Sequence, residues 1–114
     1  YFGWDDPAKM ISDFLLHPAM ALSAGLKKKF ATAILGRFSD FPGLVGRLEN
    51  VYPLFGLKWC MILLNEFLSD SFQRRQFAAV AAPDRVALQM QQLAKARQML
   101  DRIRGEYEHF PYRD

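Results

Sequence analysis

The stretch Pro53 to Leu68, PLFGLKWCMILLNEFL, decides the fold: eleven of its sixteen residues are apolar, and Trp59 to Leu64 run without a polar interruption. It predicts a central, almost wholly buried helix. Proline at the first helical position supplies a fixed φ where a missing N–H costs nothing, and the leucines and Met61 that follow are good helix formers. A strand fits less well, because Ile62 is the sole β-branched residue of the run. A bilayer span is excluded as well, since sixteen residues interrupted by Lys58, Asn65 and Glu66 fall short of the ~20 that a span needs. At 100° per residue, Lys58, Asn65 and Ser69 lie within about 40° of one another, so the helix carries one narrow polar strip. That strip faces water, another domain or a ligand; the residues alone leave the three open.

Outward from this helix, the 114 residues form one domain or part of one, enough to enclose a single core. Half the residues are hydrophobic and a quarter charged, the balance of a folded globular chain and not of a disordered tail. The net charge of +3 suits an anionic partner without selecting one. Cys60 is the single cysteine, which excludes an internal disulfide and a cysteine-based zinc site; among apolar neighbours it reads as an inert packed thiol, and a cytoplasmic, reducing compartment fits it. The chain starts at Tyr1 and enters at once into aromatic and acidic residues, as a C-terminal piece of a longer protein would.

Asp5-Asp6-Pro7 is a helix-start signal, a carboxylate cap followed by proline at the first position. Met10, Ile11, Phe14 and Leu15 share a face of that first helix, which ends near Leu16 because Pro18 drives His17 out of the α region. Ser23 caps a second helix whose stripe is Leu26, Phe30, Ile34 and Phe38, with Lys27-Lys28-Lys29 beside it as a solvated face. A third helix buries Leu44, Val45, Leu48, Val51 and Tyr52, with Gly43 and Gly46 weakening it or permitting close approach, and Pro53 ends it. Ser69 to Ala82 is a connector in which Phe72, Arg74, Arg75 and Phe77 anchor it to the core; two aromatics and two arginines are a thin basis for nucleic-acid binding. Ala82-Pro83-Asp84 opens a last helix reaching about Tyr107, with Val86, Leu93, Leu100 and Tyr107 at heptad spacing and Ala96, Ile103 and Phe110 as a second set. Arg97, Arg102 and Arg104 lie among Asp101, Glu106 and Glu108 as a mixed-charge surface. This helix is expected to pack on its own chain and not in a coiled-coil dimer.

Several of these segments together resemble a known family. Tyr-Phe-Gly-Trp-Asp-Asp-Pro at 1 to 7, Leu-Leu-His-Pro at 15 to 18 and Tyr-Pro-Leu-Phe-Gly-Leu-Lys-Trp-Cys-Met-Ile-Leu-Leu-Asn-Glu-Phe at 52 to 67 are similar to the C-terminal lobe of aminoglycoside phosphotransferase-like small-molecule kinases. In that family a metal-binding motif is followed after four residues by Gly-Asp-Pro and a helix; Asp5-Asp6-Pro7 takes that place, with Asp5 replacing the glycine and Met10 standing where many members have aspartate. The resemblance implies an all-α subdomain of a kinase-like fold, about five helices around residues 53–68, with residues 1–114 as one helical unit. It further implies that a nucleotide-binding part precedes this chain and that ATP and magnesium serve the parent protein. No catalytic residue and no metal ligand carries over. Asp6 carries over as the cap and brace of the catalytic segment. The family's helices after the metal-binding segment wall the acceptor cleft, so Lys58 and Asn65, with Glu66 at the edge and Trp4 and Asp5 leading in, become the substrate-side residues; the acceptor itself is not implied. Two rivals stand beside this reading: a free-standing helical interaction module and a weak nucleic-acid binder.

Overall fold

The computed structural model describes residues 5–67 and 82–112, and these form an all-helical structure without strands among them. The four α-helices are α1 (Pro7–Leu16), α2 (Ala24–Arg37), α3 (Leu44–Leu63) and α4 (Ala82–Glu106), and a 3-10 turn, Leu64–Phe67, closes α3. The expected connector, with Phe72, Arg74, Arg75 and Phe77, lies outside the described residues. None of the described helices is long and apolar enough to cross a membrane.

Helix ends follow local chemistry. Asp6 accepts from the Ala8 N–H and Pro7 occupies the first turn of α1, while His17 leaves helical geometry at ψ 122. Ser23 accepts from the Leu26 N–H at the start of α2. Gly43, at φ +82, sits where α3 begins, a left-handed position that a side chain disfavours.

The centre corrects two expectations. First, Pro53 does not divide two helices; α3 runs through it from Leu44 to Leu63. Proline removes one backbone hydrogen bond there, but Leu48, Tyr52, Gly56, Cys60 and Leu63 line up on a single buried face. Burial on both sides of the proline outweighs a loss of about 3 kcal/mol. Second, the central helix is not wholly buried. It is held by α1 on one side and α4 on the other, whereas Leu54 and Met61 are 63% and 71% exposed and Leu57 and Ile62 also face outward.

The core joins Ala8, Ile11, Leu15 and Leu16 of α1 to the α3 face and to Ala96, Met99 and Ile103 of α4. Met10, expected inside, is exposed, as are Val86 and Tyr107; the second expected set, Ala96, Ile103 and Phe110, is buried together with Met99, and of the first set Leu100 packs against the core. Cys60 is buried, its Sγ directed at the Ala96 carbonyl at 3.7 Å and its thiol pushed up by burial, an unreactive setting. α2 docks through Phe14 and Phe30, whose ring centroids are 4.1 Å apart.

Two close fits lock α4 onto α3. A Cβ built on Gly56 would overlap the Ile103 side chain, so only glycine lets the helices approach this closely; Gly43 and Gly46 have no such neighbour. Beyond Ile103, the chain after α4 turns back and stacks Phe110 and Tyr112 edge-on against Tyr52, at 5.2 and 6.5 Å. Arg102, expected on a solvated surface, is instead half-buried. Its guanidinium donates to the Tyr52 hydroxyl at 3.0 Å, to the Tyr112 hydroxyl at 2.5 Å and to Glu106 at 3.3 Å.

These fits generate two predictions. Gly56→Ala should cost about 1–3 kcal/mol in urea melts, since turning the Ile103 tip leaves its Cγ1 in place and a β-branched χ1 has little freedom on a helix. In an Ile103→Ala background the penalty should vanish, whereas Gly46→Ala should gain about 0.5–1 kcal/mol from helix propensity alone. The second prediction concerns pH. Burial pushes the Tyr52 and Tyr112 phenols above their usual value of 10.0, with Arg102 opposing. Below pH 10 both states keep these protons; above it the unfolded chain releases protons that the folded one retains, so stability falls as pH rises. Tyr52→Phe and Tyr112→Phe should each flatten that alkaline fall while costing about 1 kcal/mol at neutral pH through the lost hydrogen bond.

Candidate functional site

Of the polar residues singled out from sequence, Asp5, Asp6 and Lys58 lie where α1 packs on α3. Helical spacing puts Asp5, Lys9 and Asp13 in a row along one side of α1 and its entry. Lys9 reaches Asp5 at 3.3 Å and Asp13 at 3.5 Å. From α3, Lys58 donates to Asp13 Oδ1 at 2.7 Å and the Trp59 indole N–H donates to the same oxygen at 3.1 Å. Asp5, Lys9, Asp13 and Lys58 therefore form one alternating chain of charge. The Lys58 ammonium also lies over the Phe55 and Trp59 rings, at 4.8 and 5.5 Å.

Asp6 joins the same two helices at a second point. One carboxylate oxygen caps α1 through Ala8 at 3.0 Å and the other pairs with Arg47 of α3. Asp5, beside it, accepts from the Asp6 N–H at 2.8 Å, and this bond together with Lys9 holds its carboxyl below the usual carboxylate range. At the far end of α1, His17 Nδ1 accepts from the Ala19 N–H at 3.1 Å and its ring stands 4.9 Å from Trp59.

The expected polar strip is thus reoriented. Lys58 points along the α1 seam instead of heading an open line, and the strip does not continue as α-helix because α3 stops at Leu63. Asn65 is half-buried in the 3-10 turn; Glu66 belongs to the same turn, but its side chain lies outside the described residues, as do Trp4 and Ser69. Asp13, Lys9 and Arg47 are not marked by the sequence reading, and His17 is marked there only as the break after α1. The spacing Asp5, Lys9, Asp13, every fourth residue with alternating charge, was the available signal for two of them.

The arrangement suits positioning more than bond-making. No three His, Cys, Asp or Glu side chains gather to hold a metal among the described residues. Asp5 and Asp13 already satisfy lysines, so the magnesium implied by the family resemblance finds no fitting donor set in them. The chain has no match among protein-family models, curated proteins or solved structures.

Lys58 is 39% exposed, so solvent screens its ion pair with Asp13. A double-mutant cycle of Lys58→Ala and Asp13→Ala should give a coupling of about 0.5–1 kcal/mol that shrinks in high salt. Asp13→Ala alone should cost more than Lys58→Ala, because Trp59 and Lys9 lose their partner too.

Proposed function

We propose that this chain is the substrate-side helical part of a small-molecule kinase of the aminoglycoside phosphotransferase-like type, acting in the cytoplasm with a nucleotide-binding part that precedes it. The observation that carries the reading is the double anchoring of Asp6, residue for residue the family's motif aspartate. Its cap on α1 and its pair with Arg47 fix the point where the preceding segment enters the helical bundle. Phosphoryl transfer is mostly a matter of holding groups in place. Asp6 in this way ties the start of α1 to the central helix.

ATP would supply the phosphoryl group and magnesium would neutralise its charge in the preceding part; the residues here hold and orient. Among the described residues Asn65 carries the substrate-side expectation, since Asp5 is engaged by Lys9 and Lys58 by Asp13. A second reading, a helical interaction module, draws on the exposed apolar side chains Leu54, Leu57 and Met61 of α3.

Both are separated by one experiment on the chain joined to its upstream reading frame, with ADP release followed over a panel of hydroxyl and amine acceptors. The longer protein should turn over ATP in an acceptor-dependent way and the 114-residue chain should not. Asp6→Asn, which keeps the cap but weakens the pair with Arg47, should lower kcat with little change in melting temperature, and Asn65→Ala should lower kcat/KM for the acceptor at unchanged ATP affinity. Absence of acceptor-dependent turnover in the longer protein would contradict the kinase reading; turnover by the short chain would contradict the division between the two parts, and full activity in both variants would remove the roles given to Asp6 and Asn65. An upstream frame without a nucleotide-binding part would favour the interaction module.

A further inference from the structure

Lys27 does not behave as one of a solvated lysine triplet. Lys28 and Lys29 are exposed, but Lys27 lies on the inward line of α2 with Ala31 and is 7% exposed. Among the described residues its ammonium forms no hydrogen bond and no ion pair; its recorded contact is the Tyr112 ring, with the centroid 5.9 Å away. A buried cation without a counter-charge is costly, and a fold keeps one where something else supplies the charge.

Lys27 lines a cavity of about 210 Å³ between the end of α1, α2 and α4. Lys95, Gln98 and Arg102 of α4 line it as well, with His17 at one edge and Leu63 and Met99 among its apolar walls. Among the described residues no carboxylate lines it. The nearby Glu106 is taken by Arg102 Nε, and the two tyrosine hydroxyls fix the Arg102 guanidinium in orientation. Burial first and the like charge of Arg102 second depress the Lys27 pKa, with Glu106 opposing them.

We propose that this cavity binds a phosphate monoester, with Lys27, Lys95 and Arg102 receiving the phosphate and the Leu63 and Met99 wall receiving its organic group. Lys27 and Lys95 bring two charges that match a dianion better than the single charge of a carboxylate, and Arg102, whose charge Glu106 already balances, adds its remaining N–H donors. The site is separate from the Asp13 and Lys58 seam and stands independently of the kinase reading.

Phenyl phosphate, titrated calorimetrically into the purified chain, tests it. Binding should be saturable, tighter than that of inorganic phosphate, which lacks the apolar part, and tighter than that of benzoate, which lacks the second charge. Lys27→Met should weaken it by about tenfold or more, while Lys29→Met leaves it unchanged. Lys27→Met should also melt no lower than the parent, because methionine keeps the apolar stem and removes the unpaired charge. If that variant does melt lower, Lys95→Gln at the same cavity takes its place and should weaken binding several-fold. Absence of saturable heat, or parental affinity in both cavity variants, overturns the site; equal affinity for inorganic and phenyl phosphate overturns the assignment to a monoester.

Discussion

The close approach of α3 and α4 at Gly56 is the constraint on which the rest of the structure depends. With no Cβ at that point, Ile103 seats against the α3 backbone, and the crossing is fixed by a contact that tolerates no extra atom. From there the register of both helices follows. Tyr52 and Cys60, each four residues from Gly56, fall on the same side, where the Cys60 thiol meets the Ala96 carbonyl and Tyr52 meets Arg102, one residue before Ile103. The returning C-terminal segment then closes over Tyr52 with Phe110 and Tyr112. A packing event at a residue of no chemical character thus sets where a guanidinium and two phenols converge.

The same constraint explains why α3 is not buried on all sides. A helix clamped by α1 and α4 has its Leu48, Tyr52, Gly56 and Cys60 face committed, and two neighbours cannot also wrap the line of Leu54, Leu57 and Met61. Polar seams form where the clamps meet: Asp13 with Lys58 and Trp59 on the α1 side, Arg102 with the tyrosines on the α4 side. The first is partly exposed, so it specifies how α1 sits more than it stabilises it. The second is buried deeply enough for its unmade bonds to be costly.

What was legible in the sequence was local. Asp6, Pro7, Ser23 and the His17-Pro18 break all come from caps and proline, whose effect is decided within a few residues. Pro53 misled because its local penalty was weighed without the burial that spans it. A helix as apolar as α3 has too little contrast around its circumference to show which side faces inward, hence the exposure of Leu54 and Met61. In α2 the expected stripe holds at Phe30, Ile34 and Phe38, which pack against the core, while Leu26 is exposed and Lys27 and Ala31 beside the stripe are buried. A run of three lysines gives no local sign that one of them turns inward on its methylene stem.

The comparison of Lys27 with Lys58 shows how little residue type says about role. Both belong to mainly apolar helices and both lie near aromatic rings. Lys58 meets a carboxylate at 2.7 Å from a neighbouring helix, so its charge is neutralised within the fold. Lys27 is more deeply buried, yet the charged groups beside it in the cavity are Lys95 and Arg102, of its own sign. If the fold needed only a filler at position 27, an apolar side chain would avoid both the desolvation and the repulsion. A scaffold role accounts for the methylene stem of Lys27 but not for its charge. The proposed anion would account for that charge at the cavity that α2 and α4 line together.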